Sequence, residues 1–99
     1  MKKLLAMAAV AALSLSANVM AQDGKAVYDK ACHVCHSIGL AGAPKVHDTA
    51  AWAPRLKLGM DALIKVVHTG KGAMPPKGTC MDCTDADFKA AIEFMSKAK

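Results

Sequence analysis

The five residues Cys32-His33-Val34-Cys35-His36 constrain the fold of this chain more than any other sequence feature. Two thiols three residues apart lie on one turn of a helix, and the imidazole of the next residue lies beside them. This spacing is the attachment signature of c-type haem, in which both thiols add to vinyl groups and the histidine binds the iron. The motif therefore predicts one covalent haem c, held by Cys32 and Cys35, with His36 as an iron ligand.

Residues 1–21 have the pattern of a secretory signal peptide. Met1-Lys2-Lys3 precedes an apolar stretch from Leu4 to Leu15, and small or apolar residues lead up to Ala21. Polar residues interrupt this stretch before it reaches the roughly 20 residues that a membrane span needs. We predict cleavage after Ala21 and a periplasmic domain over residues 22–99. An uncleaved signal peptide would tether the protein to the membrane. If the signal peptide is removed, we expect membrane association to be transient.

The exported domain is small for a core that must support itself. Chains of about 80 residues usually need a disulfide, a metal or a cofactor to fold stably. The whole sequence has only two Phe, one Tyr and one Trp, so a bound ring system would supply missing apolar surface. The 13 Lys and Arg residues are dispersed among 8 Asp and Glu residues, which gives no indication of nucleic-acid binding.

Helical periodicity without strand alternation predicts an all-α fold. The four predicted helices begin near Asp23, Asp48, Asp61 and Thr84. The first should end near His36, and Pro54 should keep the second bent or brief. Asp87, three residues after Thr84, predicts a variant of the capping box at the start of the last helix. The Gly- and Pro-rich residues 70–83 predict a long ordered loop.

Cys80 and Cys83 form a second C-x-x-C pair, but Thr84 follows it where a haem motif has histidine. In an oxidising compartment these two thiols are expected to form a disulfide. A redox-active dithiol is the alternative for the same spacing. A zinc site on both pairs is disfavoured, because the gap between them is much longer than the roughly 15–20 residues of zinc ribbons.

The second axial ligand must come from a small set of side chains outside the attachment cysteines. The candidates are Met60, Met74, Met81, Met95, His33, His47 and His68. Met74 lies in a loop where two prolines fix the backbone and small residues permit close approach to a flat ligand. We predict Met74 as the ligand, and His47 and His68 remain the bis-histidine alternative.

The sequence resembles the class I cytochromes c, and more narrowly the bacterial cytochrome c5 type, over residues 22–99. The resemblance rests on the haem motif and on the segments Ala41-Gly42-Ala43-Pro44-Lys45, Trp52-Ala53-Pro54-Arg55, Ala73-Met74-Pro75-Pro76-Lys77-Gly78, Cys80 and Cys83. It implies a small class I cytochrome c fold, with four short helices around one covalently bound haem.

The same resemblance assigns roles to individual residues. It implies that the first and last helices cross where Gly24 and Tyr28 face Ile92 and Phe94. It also implies that the Pro44 carbonyl accepts a hydrogen bond from His36. By the same resemblance, Trp52 and Arg55 contact the haem propionates.

A haem ligated by histidine and methionine has no open iron position, which favours an electron carrier over an enzyme. The expected donor is a quinol-side cytochrome complex, and the expected acceptor is a terminal oxidase, peroxidase or reductase of a respiratory chain. Lys45, Lys71 and Lys77 are expected to steer acidic partners. A competing hypothesis is an enzyme or sensor in which Met74 dissociates and opens the iron to peroxide or a small gas.

Overall fold

A computed structural model describes residues 22–99 of the protein. The predicted signal peptide, residues 1–21, lies outside the described residues. Four helices and two short 3₁₀ turns make up the described part, which contains no β-strand, so the all-α prediction is confirmed. Within residues 22–99 no helix is long and apolar enough to cross a membrane.

The helices follow the predicted order. Helix α1 consists of Gly24–Val27, the π-helical Tyr28–Cys32 and His33–His36. The other helices are α2 (Thr49–Leu56), α3 (Met60–Thr69) and α4 (Asp85–Ser96). The 3₁₀ turns are Leu40–Gly42 and Pro76–Thr79.

The π-helical turn in α1 is a feature that the sequence analysis did not predict. It ends at Cys32, the first cysteine of the haem motif. The Cys32 thiol lies 3.9 Å from the carbonyl oxygen of Val27, five residues earlier. Single π-helical turns are found most often at functional sites. Here the wider turn ends at the residue that carries the first thiol of the motif.

Helices α1 and α4 cross at a point where only glycine fits. A Cβ atom added to Gly24 would lie 2.2 Å from the carbonyl oxygen of Ala90 and 3.0 Å from Cβ of Phe94. The Tyr28 and Phe94 rings pack with their centroids 5.4 Å apart. The crossing of α1 and α4 was thus predicted. The α4 residue closest to Gly24 is Ala90, one helical turn before Phe94. Ile92, the other α4 residue in the prediction, is buried in the core.

Capping residues begin two of the helices as predicted. The Asp48 side chain accepts a hydrogen bond from the Ala51 amide at 3.1 Å. At the start of α4, Thr84 and Asp87 bond reciprocally, with distances of 3.1 and 2.9 Å, and form the capping box. Pro54 lies inside α2, which has only eight residues and ends at Leu56, so the prediction of a brief helix is confirmed.

Candidate haem site

The haem motif lies at the carboxyl end of α1, next to the core. The thiols of Cys32 and Cys35 are unbonded and half-buried, and His36 is buried, with 9% of its surface exposed. Burial raises the pKa of the Cys32 thiol to about 11. One turn of helix therefore presents two thiols and an imidazole at the edge of the core, which fits the donor set of a covalent haem.

The ring of His36 is held in a defined orientation. Its Nδ1 lies 2.8 Å from the carbonyl oxygen of Pro44 and donates to it. The amide of Val46 also donates to the main-chain carbonyl of His36, at 2.7 Å. Because Nδ1 carries the proton, Nε2 keeps its lone pair for a metal. A carbonyl from the loop after α1 thus fixes the tautomer that an iron ligand needs.

Trp52 packs against the face of this imidazole. The two rings are stacked with their centroids 5.8 Å apart and their planes 26° apart. Trp52 is only 4% exposed, and its indole N–H donates to the carbonyl oxygen of Lys45 at 2.9 Å. The indole N–H is the only donor of tryptophan. A propionate contact through Trp52 would therefore require this hydrogen bond to break.

Arg55 has more freedom for the predicted propionate contact. One guanidinium nitrogen donates to the carbonyl oxygen of Ala51, one helical turn earlier, at 2.7 Å. The side chain is half-buried, and a guanidinium carries five N–H donors in all. Arg55 therefore keeps donors for a carboxylate after this bond to its own helix.

Main-chain hydrogen bonds hold the loop that carries Met74. The amide of Lys71 donates to Met74 O at 3.0 Å, and the amide of Met74 donates to Lys71 O at 2.9 Å. Gly70 has a φ of +80°, and a Cβ atom there would lie 2.7 Å from the Met74 carbonyl oxygen. Two prolines follow directly. The loop thus presents a half-buried thioether from a well-defined backbone.

The other ligand candidates have different partners. His47 Nδ1 lies 2.9 Å from the carbonyl oxygen of Lys97, and His68 Nε2 pairs with Asp85. Three candidates have packing or surface positions, namely Met95 (4% exposed), Met60 (packed on the core) and Met81 (68% exposed). The sixth candidate, His33, is exposed, and its ring centroid lies 6.4 Å from that of Tyr28. These contacts and positions account for all six side chains without an iron ligand role.

The second C-x-x-C pair lies between the Met74 loop and α4. The sulfur atoms of Cys80 and Cys83 are bonded to each other, and their Cα atoms are 5.4 Å apart. Both residues are buried. Between them, Asp82 forms an ion pair with Lys30 of α1 at 3.0 Å. The pair has no adjacent histidine, and in this bonded state its sulfurs are not available as thiolate ligands.

Comparison with known proteins is consistent with this site. A sequence model of the family described as cytochrome C oxidase, cbb3-type, subunit III matches residues 19–95. Cytochrome c5 from Azotobacter vinelandii is 51% identical over 78 residues, which cover 77% of this chain and 94% of the relative. The chain belongs to the class I c-type cytochromes. As a member, this cytochrome binds one haem c covalently through a Cys-x-x-Cys motif and acts as an electron carrier, not as an enzyme.

Solved structures agree with this assignment. A mono-haem ferrocytochrome c from Shewanella putrefaciens is 65% identical to this cytochrome, with a TM-score of 0.70 over 82% of this chain and 100% of that one. A chain in the crystal structure of an electron transfer complex of nitrite reductase with cytochrome c is 48% identical. Its TM-score is 0.68 over 74% of this chain and 89% of that one.

Sequence reasoning missed two features of this cytochrome's site. The first is the stacking of Trp52 on His36, and the second is the hydrogen bond from Trp52 to the Lys45 carbonyl. No regular spacing links these residues, because the contacts form across an irregular loop. The scarcity of aromatic residues is the one sequence clue, since a single tryptophan in so small a domain is expected to pack in the core.

Proposed function

We propose that this cytochrome is an exported, periplasmic carrier of single electrons, with haem attached to Cys32 and Cys35 and with His36 and Met74 as axial ligands. The observation that carries the proposal is the hydrogen bond from His36 Nδ1 to Pro44 O, because it leaves Nε2 available for iron. The proposal also uses the only C-x-x-C pair in the chain that is followed by histidine.

Bound haem c would supply reversible one-electron chemistry, and the protein side chains would tune it. The Pro44 carbonyl holds the His36 imidazole at a fixed angle. Trp52 covers one face of that ring and excludes water from it. The Met74 thioether, as a soft and weakly basic ligand, favours the reduced state relative to a second histidine.

Arg55 and Trp52, the two residues predicted to contact the haem propionates, differ in the N–H donors that they have free. Arg55 keeps N–H donors and is the more suitable propionate partner, since a half-buried carboxylate needs a donor. Trp52 uses its only N–H on Lys45 O, so its contribution is to packing against His36 in the described arrangement. Trp52 would reach a propionate only after exchanging that partner.

The proposed partners are redox proteins of a respiratory chain. The relative in complex with nitrite reductase supports a reductase as acceptor, beside a terminal oxidase or a peroxidase. A quinol-side cytochrome complex would be the donor. Lys45 and Lys71 are exposed and Lys77 is half-buried, so they can attract acidic partners at a distance. No nucleic acid is proposed as a partner, and any membrane contact would be transient.

Two comparisons support export with removal of residues 1–21. The family match begins at residue 19, so most of the predicted signal peptide lies before it. The Shewanella structure is matched over its whole length by 82% of this chain. Cleavage after Ala21 would leave residues 22–99, which contain all four helices described above.

The absorption spectrum of protein matured in an exporting, haem-attaching host tests the ligand set. The oxidised wild type should show the far-red sulfur-to-iron band, because a thioether binds the ferric iron. Met74→Leu should abolish that band with haem retained. Met81→Leu, the matched control, should keep it, because Met81 is exposed and lies between the bonded cysteines. Loss of the band in Met81→Leu but not in Met74→Leu would contradict the proposal.

A further inference from the structure

Gln22 lies where the predicted exported chain begins, and it contacts the far end of the sequence. Its backbone nitrogen is 2.8 Å from Oδ1 of Asp87, and its side-chain nitrogen Nε2 is 3.2 Å from Oδ2 of the same carboxylate. The two residues are 65 positions apart. Both nitrogen donors of one residue thus bind both oxygens of a single carboxylate.

Asp87 is well suited to bind a cation at this position. Its residue surface is only 4% exposed, and Oδ2 also accepts from the Thr84 amide at 2.9 Å. Backbone hydrogen bonds from Thr84 and Gln22 lower the pKa of Asp87 from its ordinary value. The carboxylate is therefore ionised at neutral pH. It also lies in the first turn of α4, where the helix dipole favours negative charge.

Cleavage after Ala21 would change the chemistry of this contact. The Gln22 amide nitrogen would become an α-ammonium group, with the same carboxylate oxygen beside it. We propose that the exported chain begins at Gln22, that its α-ammonium group forms an ion pair with Asp87, and that this pair protects Gln22 from cyclisation to pyroglutamate. The inference rests on the cleavage position in the proposed function, and it does not depend on haem ligation.

The protection follows from the cyclisation chemistry. The unprotonated α-amine attacks the side-chain carbonyl carbon Cδ, and an N–Cδ bond forms. One proton of the amine passes to Nε2, the Cδ–Nε2 bond breaks, and Nε2 leaves as ammonia. The reaction needs no oxidant or further reactant. A neighbouring carboxylate keeps the amine protonated and so removes the lone pair that attacks. The hydrogen bond from Nε2 to Oδ2 also holds the side-chain amide on the carboxylate.

The same contact has a structural consequence. It joins the residue two positions before α1 to the third residue of α4. These two helices cross at Gly24, directly after Gln22 and Asp23. The α-ammonium of the processed chain would therefore tie the start of α1 to the start of α4, and signal cleavage would add a charged interaction that the precursor cannot make.

Intact-mass spectrometry of the purified holoprotein tests the inference. The mass in the first spectrum should be that of a chain that begins at Gln22 and has not lost ammonia, which means that Gln22 is still uncyclised. On incubation at neutral pH, the folded protein should lose ammonia several-fold more slowly than the same protein in denaturant. Asp87→Asn should cyclise several-fold faster than wild type, because the neutral amide no longer keeps the amine protonated.

Two further variants test whether faster cyclisation results from loss of the ion pair or from general loosening of the start of α4. Asp85→Asn removes another carboxylate of the same helical turn that is not bonded to Gln22, and it should cyclise at the wild-type rate. Thr84→Ala weakens the capping box but keeps the Asp87 carboxylate, and it should cyclise more slowly than Asp87→Asn. Equal rates in Thr84→Ala and Asp87→Asn would overturn the inference.

Other results would also overturn it. These are a chain that begins at another residue, complete cyclisation in the protein as purified, and a wild-type rate in Asp87→Asn. The visible spectrum of each sample reports haem attachment separately. A normal cytochrome spectrum together with rapid cyclisation would therefore refute the ion pair and leave the electron-carrier proposal intact.

Discussion

At the scale of single residues, the site depends on what surrounds His36. The imidazole is held by a carbonyl on one side and an indole ring on the other, at Pro44 and Trp52. The carbonyl engages Nδ1, so the other ring nitrogen, Nε2, is the one left for a metal. The two cysteine pairs differ in the residue that follows them. His36 follows the pair at the end of α1, and Thr84 follows the second pair.

The difference between the cysteine pairs leads to a prediction. Cys32→Ser with Cys35→Ser should abolish covalent haem, since both thiols of the proposed attachment site are lost. Cys80→Ser with Cys83→Ser should keep covalent haem and lower the free energy of unfolding by about 2 kcal/mol or less, because the loop that the bond closes is very short. Haem staining after denaturing electrophoresis and denaturant titration measure these effects. Loss of covalent haem only in the second double variant would reverse the assignment.

At the scale of secondary-structure elements, the crossing of α1 and α4 organises the domain. Val27 of α1 and three apolar residues of α4 are buried together in the core, namely Phe88, Ala91 and Ile92. The helices approach closely because Gly24 has no side chain at the crossing point. The capping box then fixes where α4 begins. The haem motif lies at the carboxyl end of α1, eight residues and more beyond Gly24.

Gly24→Ala should destabilise the protein by about 1–3 kcal/mol, since the new methyl group would lie 2.2 Å from a backbone oxygen and the helices must move apart. Chemical denaturation followed by far-ultraviolet circular dichroism measures this change. Ala26→Ser serves as the control, because Ala26 is exposed on the same helix. Equal stability of the Gly24→Ala variant and wild type would show that the crossing tolerates a side chain.

The lowered pKa of Asp87 predicts a pH dependence of stability. A carboxyl group whose pKa is lower in the folded state stabilises the fold above its unfolded pKa, near 3.8, and this contribution is lost as the pH falls below that value. Asp87→Asn should therefore lose stability at neutral pH and show a flatter decline in acid. Thermal unfolding at several pH values measures this. A parallel decline in wild type and variant would contradict the prediction.

At the scale of the whole molecule, the basic balance of the sequence bears on association with partners. Two of the 13 Lys and Arg residues, Lys2 and Lys3, lie in the predicted signal peptide, so residues 22–99 carry 11 against 8 Asp and Glu residues. The exposed Lys45 follows Pro44, the partner of His36, and the exposed Lys71 lies in the Met74 loop. Charges of this kind steer encounters over distances near the Debye length, about 10 Å at 0.1 M salt. They affect the association rate more than the final affinity.

Replacing these two lysines should therefore slow electron transfer to an acidic partner. Lys45→Glu with Lys71→Glu is expected to lower the bimolecular rate several-fold at low ionic strength, and the difference should shrink as salt is added. Stopped-flow oxidation by an acidic redox protein measures the rate. The control is Lys89→Glu with Lys99→Glu, which changes the net charge by the same amount at one position on α4 and one near the carboxyl terminus. An equal effect in both double variants would indicate a net-charge effect rather than steering.

Local sequence patterns determined much about this protein. The spacing of the haem motif, the caps at Asp48 and Thr84, and the glycines and prolines around Met74 act over a few residues. These patterns predicted the all-α class, the helix order and the covalent cofactor. Pro54 likewise predicted a brief second helix, since α2 has eight residues and ends two residues after the proline.

The tertiary structure alone decided the contacts between distant segments. The stacking of Trp52 on His36, the bond from Trp52 to the Lys45 carbonyl and the contact of Gln22 with Asp87 join residues across irregular loops or whole helices. The choice of Ala90 as the neighbour of Gly24 depends on the angle at which two helices pack. Such contacts have no fixed sequence spacing, because they depend on how all the elements fit into one core.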